Sequence, residues 1–460
     1  MPIPGGTITL PRSQAGLFPQ VFVEAAFVPA ATQGGTFDLI LGDAARGILG
    51  TDVLGSDDEW TDISDFVRTI DISRVATRQQ GPLNVYQGGT ATFTLDNQLG
   101  YFDPQNLAGP FVAAGQTQIR PMIPVRVRAI WNGVTSYLFQ GFSTSWTPPA
   151  QNFGPAYDQT TLVCGDAFRI FNGVTLPAAQ PAGAGEDTGA RITRIAAAAG
   201  WYSSARGKSV IATGDSTLQA YVGGDTALNL MQTAADSEAG DLYIDGQGRL
   251  VFRNRNAPST DPRSSSVQGV FGDSPGVTHP AGTELDCAVM TRPDDDTTMA
   301  NDIQATIVGS SNMQEVIDAA SVSRFLFPRT YSRTDLVLQT DADALNWANY
   351  IAGLAAGDEF RFDQITITPM TDPGDLWPQA LGRDYGDRIQ VWRRPPGTGS
   401  SSEDLFIRGV EHHWDGTSQP LWWETVWTTQ RAFRFTGSGG DVMILGDAVL
   451  GILGTNVLGF

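Results

Sequence analysis

The sequence predicts a mainly β protein with an α+β insertion: two related small antiparallel β-barrels flanked by a duplicated short glycine/aliphatic motif. Three observations carry that expectation. The 460 residues include 52 Gly and 27 Pro beside 23 Phe and 11 Trp, a composition of short strands and many turns. The segment 40–55 is written again at 444–459, with only the pairs Ala45/Val449, Arg46/Leu450 and Asp52/Asn456 differing. A strand–loop–strand pattern at 125–146 also has a weaker echo at 387–414.

The first motif copy consists of Ile40, Leu41, Gly42, Asp43, Gly47, Ile48, Leu49, Gly50, Thr51, Val53, Leu54 and Gly55 around three variable positions and Ala44. The second repeats them as Ile444, Leu445, Gly446, Asp447, Gly451, Ile452, Leu453, Gly454, Thr455, Val457, Leu458 and Gly459. Aliphatic pairs with few charges are adhesive when left uncovered. Each copy is therefore expected to be covered, either at the edge of its own barrel or on another subunit. Both copies are expected to sit in equivalent surroundings, one entering and one leaving.

Residues 1–38 read as an extended N-terminal segment with one strand at Val21–Phe27, and 39–55 as the first motif copy. The span 56–171 reads as the first β-barrel. It holds alternation through Ile70 and Ile72, strands at 90–96, 124–129, 137–146 and 160–164, and an Asn132-Gly133 hairpin signal. An Ala/Pro/Gly-rich stretch then opens an α+β middle domain, 172–300. Its helices run from Asp187 to Ala199 and from an Asp225 N-cap to Gly240, and a tight hairpin lies at 242–252. Residues 254–300 read mostly as loop. The second barrel spans 301–436 with the clearest helix at 341–356, and 440–460 holds the second motif copy. The echo sets Leu138-Phe139, Gly141 and Trp146 beside Leu405-Phe406, Gly409 and Trp414.

With 29 Lys+Arg against 49 Asp+Glu the net charge is -20, which argues against tight nucleic-acid binding by the whole surface. No signal peptide and no membrane span of ~18 apolar residues is expected. Cys164 and Cys287 are too few and too far apart for a disulfide framework and read as buried thiols. No metalloprotease, Walker, nucleophile-elbow or dinucleotide motif occurs, so no catalytic residue, metal or cofactor is assigned. Glu411, His412 and His413 are strand neighbours that point to opposite faces. Asp294–Asp296 lacks the spacing of a calcium loop. Trp414, Trp422, Trp423 and Trp427 form a candidate glycan or interface set, half of which alternation should bury.

The stretches Trp60–Val67, Gly89–Asn97 with Phe102-Asp103-Pro104, and Pro124–Arg128 with Leu138–Gly141 resemble minor tail proteins of long-tailed actinobacteriophages. That family is similar to baseplate hubs at the tail tip. The resemblance runs through 242–252 and the helix at 341–356, covering most of 57–432. It implies a structural virion protein, not an enzyme: a homotrimeric hub whose paired barrels form a ring of six around the DNA exit channel. It implies as partners a distal tail or tail-tube ring protein and other minor tail proteins, with genomic DNA passing without specific binding. A receptor- or cell-wall-glycan-binding protein is the alternative, and a cell-wall hydrolase a remoter one.

Overall fold

The structure is a computed structural model. It describes residues 17–28, 59–77, 82–113, 115–148, 158–178, 182–201, 208–220, 223–291, 294–295, 299–355, 359–360, 362–397, 399–418, 421–432, 436–437 and 440–441. Both motif copies lie outside the described residues.

Seven strands build the first half of the main sheet: β1 (Gln20–Val28), β2 (Glu59–Asp62), β3 (Val67–Thr77), β4 (Thr90–Asp96), β5 (Pro124–Trp131), β6 (Val134–Thr147) and β7 (Gln159–Gly165). They pair in the order β2-β1-β5-β6-β7-β4-β3, every step antiparallel. Alternation dictates the inner face: Ala91, Phe93 and Leu95 of β4 are fully buried between half-exposed threonines. The two edges, β2 and β3, are consecutive pieces of one segment, separated by a single 3-10 turn at Ser64–Phe66.

The chain then forms α1 (Thr188–Ala198), β8 (Ser209–Ile211), α2 (Ala227–Glu238), β9 (Asp241–Ile244) and β10 (Leu250–Arg253). Asp187 caps α1 by accepting from the Ala190 amide at 2.7 Å. The cap of α2 is Thr226, one residue beyond the expected Asp225.

The second half comprises β11 (Val267–Gly272), β12 (Gly282–Asp286) and β13 (Val289–Thr291), followed by an excursion. That excursion is β14 (Asp302–Ile307), β15 (Gln314–Ile317), β16 (Thr330–Leu336) and α3 (Asp341–Ala355). The sheet resumes with β17 (Gln364–Ile367), α4 (Pro373–Gly382), β18 (Arg388–Arg393), β19 (Ser401–Asp415) and β20 (Trp422–Arg431). Here the order is β12-β11-β18-β19-β20-β17-β13, term for term that of the first half, with the two-residue strand Thr278–His279 added beyond β12; β12 and β13 are again consecutive in the chain. One strand differs in sense: β11 runs parallel to both neighbours, where β1 is antiparallel to both of its own.

Two separate closed barrels are not what the ladders form. No ladder joins β2 to β3, or β12 to β13, among the described residues. The long β19 gives its outer edge to β3 from Gly409↔Val75 to Asp415↔Thr69, merging both halves into one 16-stranded mixed sheet. One apolar core runs through both. Trp377 of α4 joins them: its ring lies 5.8 Å from Phe18, 5.9 Å from Trp131 and 5.3 Å from Trp423, and its Nε1 donates to the Leu17 carbonyl at 2.9 Å.

Three boundaries differ from the sequence reading. The Gln20–Val28 strand, expected in an extended lead, sits between β2 and β5, so the first half takes chain from both sides of the first motif copy. Residues 267–291, expected as loop, supply strands of the second half. Residues 302–355, assigned to the second barrel, pack into a second core with α1, α2, β9 and β10, because Ile303, Ala305, Trp347 and Ile351 bury their side chains there.

The register of the weaker repeat also shifts. Pro124↔Phe142 in β5–β6 corresponds to Arg388↔Phe406 in β18–β19, so Phe142 matches Phe406 and Trp146 matches Val410, not Trp414. Two irregularities fix this. A bulge leaves Thr144 unpaired against β7 and Arg408 unpaired against β20. A left-handed residue precedes each short strand, Met122 (φ 66°) and Gly386 (φ 80°), donating at 2.8 Å to Ser143 and Ile407 respectively. The Gly-to-Trp spacing is displaced by four, which preserves the inward face, so alternation could not reveal the slip.

Candidate functional site

Of the four tryptophans, Trp414, Trp423 and Trp427 are buried in the core, and Trp422 is 41% exposed. The set therefore does not meet on one surface. His412 and His413 do face oppositely. His412 is buried, with Nδ1 3.1 Å from Thr425 Oγ1, while His413 lies outside against Asp71 of β3. Glu411 accepts from Ser73 Oγ at 2.8 Å, again across the β19–β3 seam. Among the described residues no group of three or more His, Cys, Asp or Glu is placed to hold a metal. Asp294 and Asp295 form a two-residue strand against Phe360 and Glu359, and Asp296 lies outside the described residues. Cys164 and Cys287 are free thiols; burial pushes the first well up and the second to about 12.

Where both sheet halves meet the α+β unit, a set of buried charges gathers that motif reading did not find. Arg408, the bulge residue of β19, donates through Nη1 to Asp241 Oδ2 (2.6 Å) and the Tyr86 hydroxyl (3.0 Å), and through Nε to Gln430 Oε1 (2.8 Å). Arg74 of β3 donates through Nη1 to Asp384 Oδ1 at 2.9 Å. Arg253 of β10 reaches the Ser264 hydroxyl (2.5 Å), Asp261 (3.0 Å) and the Tyr385 carbonyl (3.3 Å). Between these cations Tyr86, Tyr243 and Tyr385 pack ring on ring, with centroids 4.7 to 5.3 Å apart. Burial raises all three phenols. Asp166 lies at the same seam. Burial pushes its carboxyl up to about 7, although it accepts from the Gly89 and Phe168 amides at 2.5 and 2.9 Å.

A cavity of about 450 Å³ opens beside this cluster, lined by Tyr243, Asp245, Arg249, Asp261, Arg263 and Asp387 among others. Its charges already have partners: Arg249 holds Asp245 at 2.6 Å, and Arg263 binds Asp387. Each pair crosses a turn or a boundary between two parts of the chain, so the arrangement clamps the α+β unit to the sheet. A signal for it stands in the sequence, since Arg408 interrupts the apolar run Leu405-Phe406-Ile407-Arg408-Gly409-Val410. A cation at such a position must find a buried partner.

No protein-family model matches the chain. No curated protein sequence matches it either. Solved structures do. The chain is similar over 82% of its length to the crystal structure of the tail protein from Neisseria meningitidis MC58, covering 94% of that chain at TM-score 0.50 and 12% identity. It also aligns over 82% of its length with 95% of the 43 kDa tail protein of prophage MuSo2 from Shewanella oneidensis, at TM-score 0.48 and 14% identity. A component of the type VI secretion system of Escherichia coli aligns with 80% of this chain and 73% of its own, at TM-score 0.35 and 9% identity. At these identities the likeness to the Neisseria protein is one of fold.

Proposed function

We propose that this chain is a structural subunit of a phage tail, a homotrimeric tail-tip hub surrounding the DNA exit channel between the tail tube and the host-recognition apparatus. The observation that carries the reading is the fold shared with 94% of a tail protein's chain. The duplicated strand order supplies the symmetry argument: two like half-sheets per chain in three chains offer about six like positions, a match for a six-fold tube above a three-fold tip. The partners are a distal tail or tail-tube ring protein and other minor tail proteins. The acidic chain lets DNA pass without holding it.

The motif copies serve as assembly segments in this reading. Copy one follows β1 in the chain and copy two follows β20, and we assign them to equivalent contacts within the assembly. Native mass spectrometry of the purified protein tests the hub: a trimer is expected, and a hexamer or a persistent monomer overturns it.

A further inference from the structure

We infer that the cavity beside the buried junction is a binding site for a neutral mono- or disaccharide. The inference goes beyond the hub reading and does not depend on it. The cavity holds about 450 Å³, within the ~300–1,000 Å³ of small-molecule sites. Its floor is one face of the sheet β8-β10-β9. The register sets Val210 opposite Val251 and Val251 opposite Tyr243, so an apolar row crosses all three strands. Arg249 and Arg253 stand two residues to either side of Val251, on the same face by strand alternation. The turn before β18 adds Tyr385 and Asp384 to the lining.

Two phenols carry the inference. Tyr243 and Tyr385 are only 7% and 5% exposed, yet neither hydroxyl has a hydrogen-bond partner among the described residues. Neither hydroxyl is sealed from solvent. Buried phenols ordinarily find a partner, so these two are donors held ready for what enters the cavity. Their rings are fixed by packing on each other, 4.7 Å apart, and on Tyr86. Burial raises both above the ordinary phenol value, so each keeps its proton. Arg249 adds further donors. Its Nε holds Asp245 at 2.6 Å, while its terminal nitrogens have no partner among the described residues.

Charge narrows the ligand. Each of the four carboxylates lining the cavity is held by a guanidinium, as Asp245 is by Arg249 and Asp384 is by Arg74 at 2.9 Å. A cation would have to displace an arginine. An anion would meet those carboxylates in a chain whose net charge is -20. A ligand that hydrogen-bonds without charge avoids both. A sugar does so: its hydroxyls donate and accept, adjacent pairs of them match planar guanidinium and carboxylate groups, and its C–H face covers the valine row. A peptide also presents neutral amides, but the row lies on the face of the sheet, where no backbone ladder is open for it to join.

Isothermal titration of the full chain tests this, with lactose, maltose and chitobiose as neutral probes, glucuronate as the anion, glucosamine as the cation and acetylated trialanine amide as the peptide. At least one neutral disaccharide is expected to bind with a Kd of about 1 mM or tighter. Tyr243→Phe and Tyr385→Phe should each weaken that binding about fivefold or more and leave the melting temperature unchanged, because the hydroxyl removed has no partner in the protein. Tyr86→Phe supplies the contrast. It removes a hydroxyl bonded to Arg408 at 3.0 Å, so it should lower the melting temperature and leave sugar affinity as it was. Failure of every neutral sugar to bind, or binding that Tyr243→Phe and Tyr385→Phe keep at wild-type strength, overturns the site. Tighter binding of glucuronate, glucosamine or the peptide than of any neutral sugar overturns its chemistry. Neither result bears on the trimer, so the hub reading fails or stands by its own measurement.

Discussion

Arg408 and His412 lie four residues apart on β19, and both are buried at the seam between the sheet halves. Arg408 stays charged because a carboxylate, a phenol and an amide oxygen all face it. His412 has no such partner. Burial, with Arg74 nearby, lowers it from 6.5 to about 3. Between those values the unfolded chain takes up a proton that the folded chain refuses. Its contribution to stability is therefore full above pH 6.5 and is lost as pH falls toward 3. Asp166 works in the other direction. Raised to about 7, its contribution is complete below the ordinary carboxylate value and is lost as pH rises through 7. In His412→Gln, which keeps a hydrogen-bonding group for Thr425, the loss of stability between pH 6.5 and 4 should be shallower than in the wild type. Urea unfolding across that range measures it, and parallel slopes would rule out the histidine as the cause.

At the scale of elements, the turn before β18 shows how local geometry supports the clamp. Gly386 combines φ of 80° with no room for a side chain, since a Cβ there would sit 1.4 Å from Arg253 Nη1. Gly386→Ala is expected to cost about 3 kcal/mol or more, read from chemical denaturation, because it meets both left-handed strain and the displaced guanidinium. Met122→Ala, at the equivalent turn of the first half, should stay within about 1 kcal/mol, as a side chain is already accommodated there. Comparing these turns also shows what the sequence could and could not reveal. Period-two alternation announced β3 to β7, and helical spacing announced α3 to within a residue, because both patterns record burial locally. The strand Val267–Gly272 was hidden by its own glycines. Gly269 and Gly272 look like loop residues, yet a Cβ on them would meet Gln379 at 2.8 Å and Glu284 at 2.3 Å, contacts made by distant segments. The buried junction stayed hidden for the same reason, since Arg74–Asp384 and Arg408–Asp241 join residues far apart in the chain. Only the lone arginine in an apolar run hinted at it.

For the whole molecule, the question is whether two half-sheets of one strand order behave as two domains or as one. Independent barrels would each enclose a core and melt separately. Here the apolar core is continuous from Phe18 to Trp427, β3 and β19 exchange a seven-residue ladder, and Trp377 touches side chains of both halves. Separating the halves would expose that ladder, leave Trp377 without its surroundings and present part of the shared core to water. The sheet should therefore unfold as one cooperative unit. Hydrogen exchange reads this directly: the amides of β4 in the first half and β17 in the second should report the same opening free energy. Trp377→Ala, expected to cost about 3–5 kcal/mol, should lower both together. If the variant weakened protection in β17 and left β4 untouched, the halves would be separate domains merely in contact. A ring assembled from such chains would then have six loosely joined blocks in place of three rigid pairs. Rigid pairs are what the proposed hub requires, because a subunit that keeps two like positions at a set spacing could bridge a six-fold tube to a three-fold tip without choosing between them.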